Sequence, residues 1–497
     1  MSASQQKKLR KQQREQGVEK RQIADQKAAE AAKKSSIRST VITTIVVLLV
    51  IVTILFSSNL FYHAFPAVKI GDTSYNASEL SFFYKSGYFN FVSQNGSYLQ
   101  YMGLDTSKSL DSQSFGEDQT WADFFLDSAI TSMTEITMLA DEAEKAGFEL
   151  PDEDKAALEQ ELAALDASYE GTGFSSLNAF LAANYGKGCN EKLIKGLIAK
   201  SYLAQAYATS VYDSYSYTDA ELDAHYDENK NSYDNITYIS YFVSAEENAD
   251  EGIDSETAMA NAKELADSLI ADITSQEEFT ESVLSKTEEE VSAVTIQGSS
   301  LSSAYSEWLL DASRKEGDMT VLATDSGYYA LYFISRERND SRTVSARHIL
   351  TYVLADDEGV YTDEAKAEAK AKAEELLAQW KAGEATEESF AALANEYSDD
   401  PGSNTNGGLY ENFKEGAMVA EFNDWCFDTT RKPGDTGIVF NEGSYCGYHV
   451  IYFIGEGETY DKVLSENALR EEAYNEWKTA ALENYTAKTT FTASLIK

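Results

Sequence analysis

The chain holds four histidines in 497 residues, and two of them, His348 and His449, stand in strand-like runs. These runs are Val344-Ser-Ala-Arg-His348-Ile-Leu-Thr-Tyr-Val353 and Gly447-Tyr-His449-Val-Ile-Tyr-Phe-Ile454. Imidazoles on separate strands share a site only if the strands pair side by side, and such a pair can hold fixed tautomers near neutral pH. Asp400 and Cys446 add a carboxylate and a thiol. A hydrolase built on Cys446 would need one histidine as base for the thiol. Cys446 lies only three residues before His449, however, and no oxyanion-binding helix is recognisable. A zinc site from His348, His449 and Asp400 suits the donor types, but the spacing matches no helix- or hairpin-borne ligand motif. Two core histidines that merely hydrogen-bond each other are the bland alternative. The residues alone leave these readings open.

The elements between the two strands narrow the choice. A charged helix carries Ala365, Ala369, Ala373, Leu376 and Trp380 at helical spacing. Phe390-Ala-Ala-Leu-Ala-Asn-Glu-Tyr-Ser-Asp-Asp400 follows, then the loop Asn406-Gly-Gly-Leu-Tyr-Glu-Asn-Phe413, then Gly416-Ala-Met418-Val-Ala-Glu-Phe422. In this order residues 343–456 resemble a parvulin-type peptidyl-prolyl isomerase domain. The resemblance rests on the His-Ile-Leu strand, Phe-x-x-Leu-Ala, Ser398-Asp399-Asp400, Gly-Gly-Leu, Gly-x-Met, Phe422 and Gly-Tyr-His-Val-Ile. It implies a four-stranded antiparallel sheet with helices, and cis/trans isomerisation of X–Pro bonds without metal or cofactor. It places the family's paired imidazoles on His348 and His449, its cysteine-or-aspartate position on Asp400, and its proline pocket on Leu409, Met418 and Phe422. Cys446 stands where the family often has Ser or Thr three residues before the last histidine, and joins the expected catalytic set. The loop departs from the usual Gly-Gly-Asp-Leu-Gly, which bears on rate and substrate preference.

A degenerate copy precedes this segment. Ile239-Ser-Tyr-Phe-Val-Ser244 aligns with Ala346–Thr351, Trp308–Gly317 with Trp425–Gly434, and Gly327–Ile334 with Gly447–Ile454. On this alignment Tyr241 stands for His348 and Tyr329 for His449, and the Gly407-Gly408 loop is missing. The expected organisation is two parvulin-like domains, 236–340 without its polar site and 341–460 with it. Chemistry lives in the site rather than in the fold, so the first copy reads as scaffold or binding surface.

The rest of the chain says where such a domain would work. Residues 1–38 carry eleven Lys/Arg against four Asp/Glu, a net of +7, residues 39–60 carry no charge, and the remaining residues carry −49, which together give the net charge of −42. An acidic body argues against nucleic acid as a partner, since phosphate binding needs cations. The uncharged run over 39–60 approaches the roughly 20 residues a bilayer span needs. Basic residues before it predict a cytoplasmic tail over 1–38 and an extracytoplasmic remainder; a cleaved signal peptide is the competing reading. Alternating runs around Gly71-Asp72 predict a hairpin, and Ser78 reads as the cap of the next helix. Helical periodicity from Trp121 onward predicts a mostly helical domain over 61–235, and the helix and strand expected in the tail 461–497 could complete it. Cys189, Cys426 and Cys446 are too few for a disulfide framework; a Cys426–Cys446 bridge is conceivable, and free thiols are the favoured reading. The whole is α+β. The order of anchor, helical domain and parvulin-like repeats resembles extracytoplasmic foldases of Gram-positive bacteria and related periplasmic chaperones. The resemblance implies unfolded secreted polypeptides with X–Pro bonds as partners, and a helical domain that holds them. A holdase or adaptor that uses the parvulin fold only for binding is the rival.

Overall fold

The structure is a computed structural model that describes residues 3–11, 14, 40–51, 59–248, 253–356, 358–443 and 445–496. Most of the expected 1–38 tail, residue 39 and residues 52–58 of the expected span lie outside the described residues. Residues 40–51 are helical. Among the described residues no helix is long and apolar enough to cross a membrane. The chain divides into two compact units, residues 1–214 with 474–497, and residues 215–473.

The first unit opens on a hairpin, β1 (Pro66–Ile70) and β2 (Thr73–Asn76). The helix Ala77–Asn95 is capped by Asn76 rather than by Ser78. The Asn76 side chain accepts from the N–H groups of Ser78 and Glu79, and the Glu79 carboxylate accepts from the Asn76 N–H at 2.7 Å. This reciprocal box satisfies donors that a helix start otherwise leaves open. Ser78 is buried instead, donating to the Lys187 carbonyl at 2.9 Å. A short hairpin, β3 (Ser114–Phe115) and β4 (Gln119–Thr120), leads into the helix Trp121–Ala146. This helix packs with Glu191–Ser214 around Tyr84, Trp121, Phe125, Met133 and Met138. Near the end of the chain the strand Ala487–Thr489 pairs antiparallel with β1, so the tail from Tyr474 on belongs to this unit, whereas residues 461–473 belong to the second.

The second unit begins at Tyr215, ahead of the boundary expected after residue 235. The helix Asp219–Tyr233 belongs with the first parvulin-like module because Asp234, just past its end, binds Arg336. That module pairs β5 (Asn235–Ser244), β6 (Val294–Gln297), β7 (Met319–Thr324) and β8 (Gly327–Glu337) in the order β6-β5-β8-β7. The second pairs β9 (Arg342–Tyr352), β10 (Leu409–Lys414), β11 (Thr436–Glu442) and β12 (Cys446–Thr459) in the order β10-β9-β12-β11. Both sheets are antiparallel throughout and share one topology.

Register corrects one feature of the repeat. Leu331 faces Ser240 across β8 and β5, as Ile451 faces His348 across β12 and β9. The position of His348 is therefore held by Ser240, not Tyr241. A slip of one residue moves a side chain to the other face of a sheet, and Tyr241 packs on the face with Ala262, Leu269 and Phe279. Tyr329 does take the place of His449, and its ring meets Phe242 at 4.7 Å and Tyr305 at 5.1 Å.

Asp234 is 5 % exposed and accepts from Arg336 Nε at 2.6 Å and from the Tyr226 hydroxyl. Arg336 also donates to the Leu310 carbonyl at 2.9 Å and to Asn231 Oδ1 at 2.8 Å. Removing one partner of such a pair leaves a poorly solvated charge. Asp234→Ala is expected to cost about 3 kcal/mol in urea unfolding, whereas a change below about 1 kcal/mol would show that water replaces the carboxylate.

Candidate active site

The site lies on the two central strands of the second module. His348 faces Ile451 and His449 faces Leu350, so the two histidines occupy one face as diagonal neighbours on β9 and β12. The opposite face is sealed by the helices Asp363–Ala382 and Glu387–Tyr397 through Ile349, Leu376, Trp380, Phe390 and Val450. The histidine face packs against the helix Ala420–Phe427 through Phe413, Phe422, Phe427, Ile451 and Phe453.

Beyond residue 347 the strand β10 no longer accompanies β9, and the segment after the helix Glu387–Tyr397 takes its place. His348 N–H donates to the Gly408 carbonyl at 2.8 Å, and Leu350 N–H donates to Ser398 Oγ at 3.0 Å. Asp399 N–H donates to the Leu350 carbonyl at 2.9 Å, and Tyr352 N–H donates to the Asp399 carboxylate at 2.9 Å. This clamp carries Asp400 to the imidazoles. Gly408 sits at φ +69°, where a Cβ would stand 2.0 Å from the His348 carbonyl oxygen. Only glycine lets the loop approach β9 so closely.

The polar groups form one chain. His348 Nδ1 and His449 Nδ1 are 2.9 Å apart, with rings 18° from parallel. His348 Nε2 lies 2.8 Å from Asp400 Oδ2 and 3.2 Å from Ser403 Oγ. Ser403 and Tyr410 donate hydroxyl protons to Asp400 Oδ2 at 2.6 and 3.0 Å, and Tyr445 Oη lies 3.0 Å from His449 Nε2. One assignment satisfies every donor with two neutral rings. Tyr445 O–H donates to His449 Nε2, His449 Nδ1–H to His348 Nδ1, and His348 Nε2–H to the carboxylate. The hydrogen bond from His348, seconded by Ser403 and the Gly402 N–H, holds the Asp400 carboxyl well below the usual carboxylate range despite partial burial. Burial lowers His449 to about 3, helped by the neighbouring His348 and opposed by Asp400. Burial likewise pushes the Tyr445 phenol up to about 12. His449 is therefore neutral and Asp400 ionised in the folded site.

The low affinity of His449 for a proton sets the acid response. An unfolded histidine binds a proton near pH 6.5 and folded His449 only near 3, so in that window the unfolded state holds more protons and stability falls as pH falls. Urea unfolding followed by Trp380 and Trp425 fluorescence should lose up to about 1.4 kcal/mol per pH unit between roughly pH 6 and 4.5, before carboxylates protonate. His449→Phe should flatten that slope; an unchanged slope would assign it to other groups.

Of the expected residues, the structure brings His348, His449, Asp400 and Phe422 together. The Phe422 ring stands 5.5 Å from both imidazoles, nearly perpendicular to His348, and Met418 packs in the same cluster. Cys446 does not join them. An odd separation along a strand reverses the face, and Cys446 is buried with Val353 and Ala369. Leu409 also faces away: it pairs with Arg347, whereas Tyr410 pairs with Ala346 on the histidine face, its ring 5.4 Å from His348. The pocket wall expected from Leu409 is thus supplied by Tyr410. Sequence reasoning missed Tyr410, Ser403 and Tyr445. Strand parity was the available signal for Tyr410 and for Tyr445, which directly precedes β12 four residues before His449; Ser403 sits in a turn, where spacing carries no direction. All three cysteines are buried and free.

Part of the chain is similar to known proteins. Residues 328–455 match the family model of the PPIC-type PPIASE domain, and the second module is a parvulin-type domain. A curated relative, foldase protein PrsA 1 of Listeria innocua serovar 6a, is 30 % identical over 131 residues. The match covers 26 % of this chain and 42 % of that protein, so the chain spans about two-fifths of the relative's length. A crystal structure of peptidylprolyl isomerase (PrsA) from Bacillus anthracis aligns over 71 % of this chain and 92 % of its own, at 13 % identity and a TM-score of 0.18. A chain from the Campylobacter jejuni pair of SurA-like chaperones, PEB4 and Cj1289, aligns over 55 % and 81 %, at 12 % identity and a TM-score of 0.16. Superpositions this loose add nothing to the description of the site.

Proposed function

We propose that this chain is an extracytoplasmic foldase, anchored through residues 39–60, whose module over 341–460 catalyses cis/trans isomerisation of X–Pro bonds in unfolded secreted polypeptides. The observation that carries the reading is the buried chain Tyr445–His449–His348–Asp400 beneath the apolar wall of Phe422, Met418 and Tyr410. Rotation about an X–Pro bond faces a barrier of roughly 18–20 kcal/mol from amide resonance, and no bond to carbon need break. Phe422 and Met418 hold the proline ring while the preceding carbonyl turns. Asp400 supplies a fixed negative field beside that carbonyl, and the His348–His449 pair holds it in place. Groups already oriented toward the twisted amide lower its energy without reorganising, which is where such catalysis gains.

The first unit supplies the holding function in this reading. Tyr98 is 65 % exposed, Tyr101 90 % and Met102 45 %, all on one segment. Exposed apolar side chains grouped this way mark surfaces for other chains, and they favour the chaperone half of the proposal whether or not the second module turns over.

The test is cis/trans exchange of an X–Pro peptide followed by NMR, with the full chain in detergent micelles and with His449→Ala. Acceleration that falls by about 10-fold or more in the variant supports the isomerase. An unchanged exchange rate with wild type, together with suppressed aggregation of an unfolded protein, leaves only the holdase.

A further inference from the structure

The mouth of the site has a composition that its apolar floor does not require. The Tyr352 ring is 37 % exposed and meets the Tyr445 ring edge-to-face at 5.8 Å. Tyr410 stands on the other side, bonded to Asp400. Burial raises the Tyr445 phenol, and its neighbours Tyr352, Asp400, Tyr410 and Glu421 push it the same way. Glu421 is exposed on the helix Ala420–Phe427, next to the pocket residue Phe422. Three tyrosine rings and two carboxylates therefore border one opening.

Positive charge is scarce around it. Between Ser398 and Trp425, the segments that frame the pocket hold six Asp/Glu and one lysine. That lysine, Lys414, lies 4.8 Å over the Tyr460 ring; Arg431 lies 4.2 Å over Trp425, and Arg347 pairs with Glu387 at 3.0 Å. The module over 341–460 as a whole carries nine Lys/Arg against twenty-three Asp/Glu, a net of −14. Tyrosine faces attract cations through the ring quadrupole, and carboxylates add a Coulomb term that a low-dielectric rim strengthens.

We propose that the site selects X–Pro segments in which X is lysine or arginine, the cation resting on the exposed Tyr352 ring at the mouth of the site, on the side of Asp400 and Glu421. This rests on the isomerase reading above and names its substrate class. An anionic residue at X meets the same carboxylates and is rejected, so discrimination comes from repulsion as much as attraction.

The experiment compares Ala-Xaa-Pro-Phe peptides with Xaa lysine, norleucine or glutamate, using NMR exchange with the full chain in micelles. The kcat/KM for lysine should exceed that for glutamate by about 10-fold, with norleucine between, as expected for one or two nearby carboxylates at a partly solvated rim. The ratio should shrink toward about 2-fold at high salt, which screens the rim. Glu421→Lys should cut the lysine-to-glutamate ratio at least threefold, roughly the effect of reversing one charge. Each ratio is taken on one preparation, so a loss of folded protein cancels. Equal acceleration of all three peptides overturns the specificity while leaving the isomerase intact. No acceleration of any peptide overturns both.

Discussion

Asp400→Asn is expected to lower kcat/KM for X–Pro isomerisation by about 100-fold, the scale seen when one preorganised electrostatic group is removed from an active site. The substitution keeps the shape and deletes the charge. In the native site Asp400 Oδ2 accepts from His348 Nε2–H, Ser403 and Tyr410, and Oδ1 accepts from the Gly402 N–H at 3.0 Å. An amide with its oxygen inward accepts from His348, Ser403 and Tyr410 but turns its NH2 against the Gly402 N–H, and the negative field is lost. With its NH2 inward it forces His348 into the other tautomer and reverses every donor through to Tyr445. Stability should fall by no more than about 2 kcal/mol, because most hydrogen bonds can re-form. Wild-type activity should be flat from about pH 8 to 5, since Asp400 stays ionised and His449 stays neutral across that range. Activity of Asp400→Asn within threefold of wild type would remove the carboxylate from the mechanism and leave the pocket as the main contributor.

Gly408→Ala is expected to destabilise the second module by about 3 kcal/mol or more and to abolish activity in whatever fraction remains folded. Its Cβ would meet the His348 carbonyl oxygen at 2.0 Å and the Ala394 Cβ at 3.0 Å, in a left-handed backbone conformation. Relief requires the loop to leave β9, which breaks the His348 N–H bond to Gly408 and withdraws Asp400 and Ser403 together. Gly416→Ala separates strain from contact. Gly416 has φ +82° with open space where the Cβ would go, so only the conformational cost of about 1–2 kcal/mol applies. Equal losses in urea unfolding would show that contact with β9 is not what Gly408 provides.

The parts of this protein legible in sequence were those written in periodicity and in motif order. Alternation around His348 and His449 placed both on strands, and their pairing follows from the need to bury Ile349, Val450 and Ile451. The repeat announced two sheets of one topology. Three errors on the sheets are errors of one residue. Tyr241 for Ser240, Leu409 for Tyr410 and Cys446 in place of Tyr445 each substitute a neighbour for the residue that reaches the site. Similarity of residue type fixes an alignment to within a position, whereas the pleat decides by odd and even which side chain faces which way. Ser403 was not legible at all, because its place depends on how a loop folds back over β9. The Asn76 cap was missed because Ser78 is the equally good capping type two residues on, and only the reciprocal bond from Glu79 distinguishes them.

The clamp of Ser398 and Asp399 on β9 has a second consequence under the function proposed above, in which unfolded chains are the partners. A strand with bare N–H and C=O groups is a template on which any extended polypeptide can add itself, and clients in that state are the ones most able to do so. Here the Leu350 and Tyr352 amides are already occupied by a serine hydroxyl and a carboxylate, and the Leu350 carbonyl by Asp399. The same two residues, Ser398 and Asp399, that deliver Asp400 would also deny a client the β9 backbone, leaving it the side-chain pocket.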